Sequence, residues 1–157
     1  MKKSYFENVT EIGNLYLEYV FYEFEQEPVL FLCRDEYANI YLCLCIDIRY
    51  EQSWVIVPCN IALLHLLIEE KMDIASVFLS RKKGWKIIMD ICGNEKSESV
   101  QMKDIDRLDL PKEGTYIRCD KEKAEMYLWK RAFEEEMKRN YDVVNESDMS
   151  INSLEAA

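Results

Sequence analysis

The chain has 157 residues and a formal net charge of −10, with 49% hydrophobic and 12% aromatic residues, which suits one packed domain. The acidity sits at the ends, −4 over residues 1–28 and −4 over 141–157, and the basic run Arg81-Lys82-Lys83-Gly84-Trp85-Lys86 is too short to track nucleic acid phosphates. The longest apolar runs, 29–33, 40–46 and 61–68, fall short of the roughly 18 residues that cross a bilayer, and no apolar leader follows Lys2 and Lys3, so a cytoplasmic protein is expected, with no direct nucleic acid or membrane partner.

In chain order, residues 14–25, "NLYLEYVFYEFE", predict a first strand, rich in Tyr, Phe, Leu and Val. Glu27-Pro28 interrupts it, and residues 29–34 form a second. The cluster "DEYAN" makes a turn into a third strand over 40–49, and "YEQS" a turn into a fourth over 54–57, ended by Pro58. Loops this short favour an antiparallel meander. Asn60 is placed to cap a helix from Ile61, and Asp73 a second short helix over 74–79 that Lys83-Gly84 closes. "WKIIMDIC" is a further strand, Gly93-Asn94 a turn, and residues 97–103 its hairpin partner. The segment 105–118, with Pro111 and Gly114, reads as a surface connection.

The longest helix is predicted over 120–140. Met126, Leu128, Trp129, Ala132, Phe133 and Met137 fall within half its circumference, and Glu134 to Lys138 and Glu135 to Arg139 are favourable i,i+4 pairs. The fold class expected is therefore α+β: an antiparallel β-meander sheet, two short helices and one long C-terminal amphipathic helix. A single domain is expected over residues 1–141. The Asn-, Ser- and acid-rich residues 142–157 are expected to be a disordered tail, holding too little apolar surface to offset the entropy of ordering.

Chemistry-bearing residues are scattered. Cys43 and Cys45 share a strand face with Tyr41, Asp47 and Arg49, while Leu42, Leu44, Ile46 and Ile48 form the opposite, uniformly aliphatic face expected to be core. The six cysteines sit mostly among aliphatic residues, where thiols act as small hydrophobes and a reducing compartment keeps them free. A zinc site at Cys43 and Cys45 lacks two partner ligands of suitable spacing, and Cα atoms about 6.5–7 Å apart on one strand face lie at the limit of disulfide geometry. His65, the single histidine, stands four residues before Glu69, as an imidazole paired on a helix surface would. The acids Asp104, Asp106 and Asp109 lack the glycine and terminal glutamate of a calcium loop, and the four glycines make no phosphate-cradling motif. No cofactor, metal or catalytic residue is assigned.

Tyrosine concentrates in the first third of the chain, beside most of the N-terminal acids. In the first strand Tyr16, Glu18, Val20 and Tyr22 share one face, and Leu15, Leu17, Tyr19 and Phe21 the other. A strand with two apolar faces is covered twice or left exposed for a partner, and aromatics on a surface are typical interface anchors. Tyr16, Glu18, Tyr22, Glu23 and Glu25 are the candidate partner-binding residues.

The order "PVLFLCRDEYANIYLCLCIDI", "WVIVPCNIALLHLLIEEKMDIASVFL" and "LDLPKEGTYI", over residues 28–118, resembles small uncharacterised bacterial and phage α+β domains of unknown function. The resemblance implies the order of elements and no activity. The function expected is that of a non-catalytic protein-binding module for a basic partner, of the inhibitor, immunity or anti-defence kind. Two alternatives stand beside it: a metal-binding protein or enzyme using His65, Cys43 and Cys45, and a structural homo-oligomer, as small as a homodimer, joined through the first strand.

Overall fold

The computed structural model describes residues 3–47 and 51–156, with side chains as far as residue 140. Seven strands, β1 (Phe6–Val9), β2 (Gly13–Phe24), β3 (Glu27–Arg34), β4 (Ile40–Asp47), β5 (Gln52–Cys59), β6 (Lys83–Met89) and β7 (Glu95–Gln101), form one sheet. Every strand pairs antiparallel with its neighbour in sequence. The α1 helix (Ile61–Ile68) and α2 (Ile74–Leu79) separate β5 from β6, and α3 (Lys121–Ala156) follows two short 3₁₀ turns at Met102–Asp104 and Arg107–Asp109. The expected α+β class and antiparallel sheet hold. By compactness the chain divides into Met1–Asp120 and Lys121–Ala157.

The sheet curls until its first and last strands meet. Thr10 donates its amide to Ser97 Oγ at 2.9 Å and its hydroxyl to Ser97 O at 3.0 Å, and the Glu7 amide donates to Glu95 Oε1 at 3.1 Å. An aromatic interior results: Phe6 packs edge-on to Trp54 at 5.0 Å, Tyr5 to Phe6 at 4.8 Å and Tyr41 to Trp85 at 5.9 Å. Such pairs add about 0.5–1.5 kcal/mol each beyond their buried area. Cys43 is fully buried in this interior. The aliphatic face holding Leu42 and Leu44 is buried as well, so β4 lies between two dry layers where one had been expected. Ile48 and Arg49, assigned to its two faces, lie outside the described residues.

Several boundaries differ from expectation, each for a physical reason. The sequence reading contained no β1; four residues with only Phe6 and Val9 buried carry too little alternation to register. Pro58 does not end β5. It pairs with Tyr41 of β4, while the register with β6 stops at Ile56, so the missing N–H faces no ladder partner. Lys83 and Gly84 open β6 and do not close α2; Ser80 caps that helix, its Oγ donating to Val77 O at 2.6 Å. A Cβ at Gly84 would meet Met102 Sδ at 2.6 Å and the Ile56 carbonyl oxygen at 2.7 Å, so this glycine serves close strand packing. β6 ends at Met89, and Cys92 is exposed in the turn beyond it.

The capping assignments hold in detail. Asn60 Oδ1 accepts from the Leu63 amide at 2.8 Å and Asp73 Oδ1 from the Ser76 amide at 2.7 Å. In α3, Trp129 stacks on Phe133 at 5.7 Å and Arg131 pairs with Glu135 at 3.3 Å. The residues expected on one dry face divide: Leu128 is buried, whereas Met126, Trp129, Phe133 and Met137 are exposed. The tail expected over 142–157 falls where side chains lie outside the described residues.

Candidate functional site

The five candidate residues all lie on β2 and its turn, but β2 does not alternate cleanly. Its pairing with β3 slips between Leu17 and Tyr19, between Val20 and Tyr22, and again between Tyr22 and Glu23. Each bulge carries an extra residue and resets which face the following side chains occupy. Val20 thereby pairs with Phe31 and packs on the interior, while Tyr22 pairs with Leu30. The face shared by Tyr16, Glu18, Val20 and Tyr22 in a regular strand is thus broken up.

The candidates separate into two groups. Tyr16 and Glu18 are half-buried in the body of the strand, Tyr16 opposite Arg34 and Glu18 with its carboxylate 3.5 Å from Arg34 Nε. Tyr22, Glu23 and Glu25 gather at the exposed end of the β2–β3 hairpin with Phe24 and Glu27. Tyr22 and Phe24 are 44% and 51% exposed. Phe24 pairs with Glu27, so the hairpin closes through Glu25 and Gln26 alone, at φ 50° and 69°. Two-residue turns of this handedness favour Asn-Gly, because left-handed backbone costs other residues about 1 kcal/mol or more each. The tip is strained as well as exposed.

Beside Tyr22 lies a cleft of about 280 Å³. Leu30, Leu44 and Ile74 give it an apolar floor, and Tyr22, Tyr116 and Arg118 supply polar groups around it. The strand residues come from β3 and β4, while Tyr116 and Arg118 come from the connection after the second 3₁₀ turn. Asp73 holds that connection in place. Besides capping α2, its Oδ2 accepts the Gly114 amide at 2.8 Å, and the Ile74 amide donates to Thr115 O at 3.0 Å. Gly114 turns at φ 86°, a backbone that favours glycine. Hydrogen bonds from Ser76, its side chain first, and from the Gly114 amide hold the Asp73 carboxyl below the usual carboxylate range. Tyr116 and Arg118 escaped the sequence reading because only the fold brings them to Tyr22; the "LPKEGTY" turn was the available signal.

The thiols and the histidine lie in different settings. Cys43 Sγ donates to Tyr41 O and Cys45 Sγ to Asp47 O, each at 3.7 Å along its own strand. Burial pushes both thiols up, and Cys43 well up, so they stay protonated and poorly nucleophilic at neutral pH. Burial likewise raises Cys59, to about 12. His65 is half-exposed on α1, with Nδ1 4.0 Å from Glu69 Oε1. The fold does not gather His65, Cys43 and Cys45, and among the described residues no three His, Cys, Asp or Glu side chains form a group that could hold a metal ion. No helix among the described residues is long and apolar enough to cross a membrane.

Comparison with curated proteins and with solved structures returned no match. A family model does match, over residues 3–153, nearly the whole chain. The chain belongs to that family, DUF6575, described as a family of unknown function.

Proposed function

We propose that the protein is a non-catalytic binding module that engages a basic protein partner through the β2–β3 hairpin and the cleft beside it, in the manner of an inhibitor or immunity protein. The observation that carries the reading is the hairpin tip, where exposed Tyr22 and Phe24 stand among the exposed carboxylates of Glu23, Glu25 and Glu27. Aromatic anchors rimmed by like charge suit a partner that offers an apolar pocket within a basic surface. The strained turn adds support, since a stability-optimised hairpin would carry Asn-Gly there. Tyr22 and Glu23 to Glu25 make the contact, and Tyr16 and Glu18 stiffen the strand behind them through Arg34.

The test is differential capture. The full chain, its Tyr22→Ala/Phe24→Ala variant and its Glu23→Lys/Glu25→Lys variant are immobilised and exposed to lysate of the source cell. The reading expects a basic protein bound in stoichiometric amount by the native chain, released as salt is raised, and lost from both variants. Capture that ignores both substitutions, or no capture at all, would refute it.

A further inference from the structure

We propose that α3 is a self-association helix and that two copies of the chain pair through it in parallel. Met126, Trp129, Phe133 and Met137 are 73%, 71%, 51% and 53% exposed. Their spacing of three, four and four residues places all of them within about 80° of the helix surface at 100° per residue. The Trp129 and Phe133 rings lie 14° from coplanar, 5.7 Å between centres, and make a flat aromatic plate in the middle of the stripe. Four large apolar side chains in a row on one helix are a seam, which water covers poorly.

The charges beside the stripe identify what covers it. On one edge stand Glu125 and Glu136; on the other stands Lys130, with Glu134 a further 40° round. All four of these side chains are exposed. A two-fold axis parallel to the helix sets each edge of one copy against the opposite edge of the second, which brings the Glu125 end of one edge to the Lys130 edge of the other copy. In that arrangement Glu125 of one copy meets Lys130 of the other, five residues on, and the symmetry repeats the pair. An antiparallel pair would set each edge against itself, Glu125 and Glu136 among their own kind. The Glu125–Lys130 match, made twice by the symmetry, is what a second copy supplies. Pairing through α3 does not depend on the function read at the hairpin.

Sedimentation velocity of the full chain over a concentration series tests the proposal. A reversible dimer is expected, with a dissociation constant raised at least about tenfold by Trp129→Ala. Glu125→Lys and Lys130→Glu should each weaken it about threefold at low salt, and the double exchange should return it to within about twofold of native. Far-UV circular dichroism of each variant, expected to match the native spectrum, separates loss of pairing from loss of helix. A monomer at every concentration overturns the proposal, as does a dimer indifferent to Trp129→Ala or one that the double exchange fails to restore. Dissociation by Tyr22→Ala/Phe24→Ala would place the interface on the hairpin and overturn it equally.

Discussion

The two ends of β3 are finished in opposite ways. At its end the chain turns through Asp35–Asn39, where the buried Asp35 carboxylate accepts the amides of Tyr37 and Asn39 at 2.9 Å, Asn39 Nδ2 at 3.1 Å and the Tyr41 hydroxyl at 3.4 Å. At its start the chain turns through Glu25 and Gln26, both left-handed and both exposed. One turn is braced by hydrogen bonds to a buried carboxyl group; the other sets two left-handed residues in succession and displays aromatic rings. Two successive left-handed residues at the surface tip, against the single Ala38 in the braced turn, mark where this fold gives up stability to present a surface.

The buried turn has an exposed twin that calibrates it. Asp90–Asn94 repeats the geometry, with Asp90 accepting the Cys92 and Asn94 amides at 2.9 Å and Asn94 Nδ2 at 3.2 Å. In both, the aspartate amide donates back to the asparagine carbonyl at 3.0 Å. Asp35→Ala should cost about 2 kcal/mol, since Asp35 is buried and its loss leaves the buried Tyr41 hydroxyl without this acceptor. The same change at Asp90 should cost clearly less, because water replaces the lost acceptor. Urea denaturation measures both, and equal losses would mean that burial is not what separates the two turns.

The strained tip responds in the other direction. Replacing Glu25 and Gln26 by Asn and Gly should raise stability by about 1 kcal/mol, by supplying residues that the left-handed turn prefers. It should also weaken partner capture, since Glu25 is lost. A tip variant that is destabilised would show that neighbouring contacts, and not backbone preference, hold this turn.

The sequence made the strands from β2 onward and the helix caps legible, and hid β1 and the faces of β2. Residues 40–47 and 61–68 declare themselves through uninterrupted apolar character, and Asn60 and Asp73 through their position before such runs. Capping is a local rule, and the fold obeys it. The faces of β2 could not be read, because three slips in register are set by how the strand pairs with β3 and leave no trace in its alternation. The candidate site shares this division: Tyr22, Glu23 and Glu25 were visible as an aromatic and acidic cluster, whereas Tyr116 and Arg118 join Tyr22 at the cleft only in the fold. The repeated turn stands in the sequence as Asp-x-x-x-Asn at 35–39 and at 90–94, but with no other residue in common the two read as unrelated turns until the fold shows their shared hydrogen bonds.

That repeat also carries the smallest and cleanest contrast. The fourth residue of each turn is left-handed: Ala38 at φ 66° in one and Gly93 at φ 84° in the other. Its amide donates to the aspartate carbonyl in both, at 3.2 Å and 3.0 Å, so the two positions do the same work. A Cβ at Gly93 would meet nothing within 4 Å, which leaves backbone preference as the main term. Ala38→Gly should then stabilise by about 0.5–1 kcal/mol, and Gly93→Ala should destabilise by a similar amount. Opposite signs of near-equal size would establish that the turns are energetically one motif. A loss of stability in Ala38→Gly would instead assign the Ala38 methyl a packing role in the Asp35 turn, and the difference between the two turns would extend from their hydrogen bonds to their backbones.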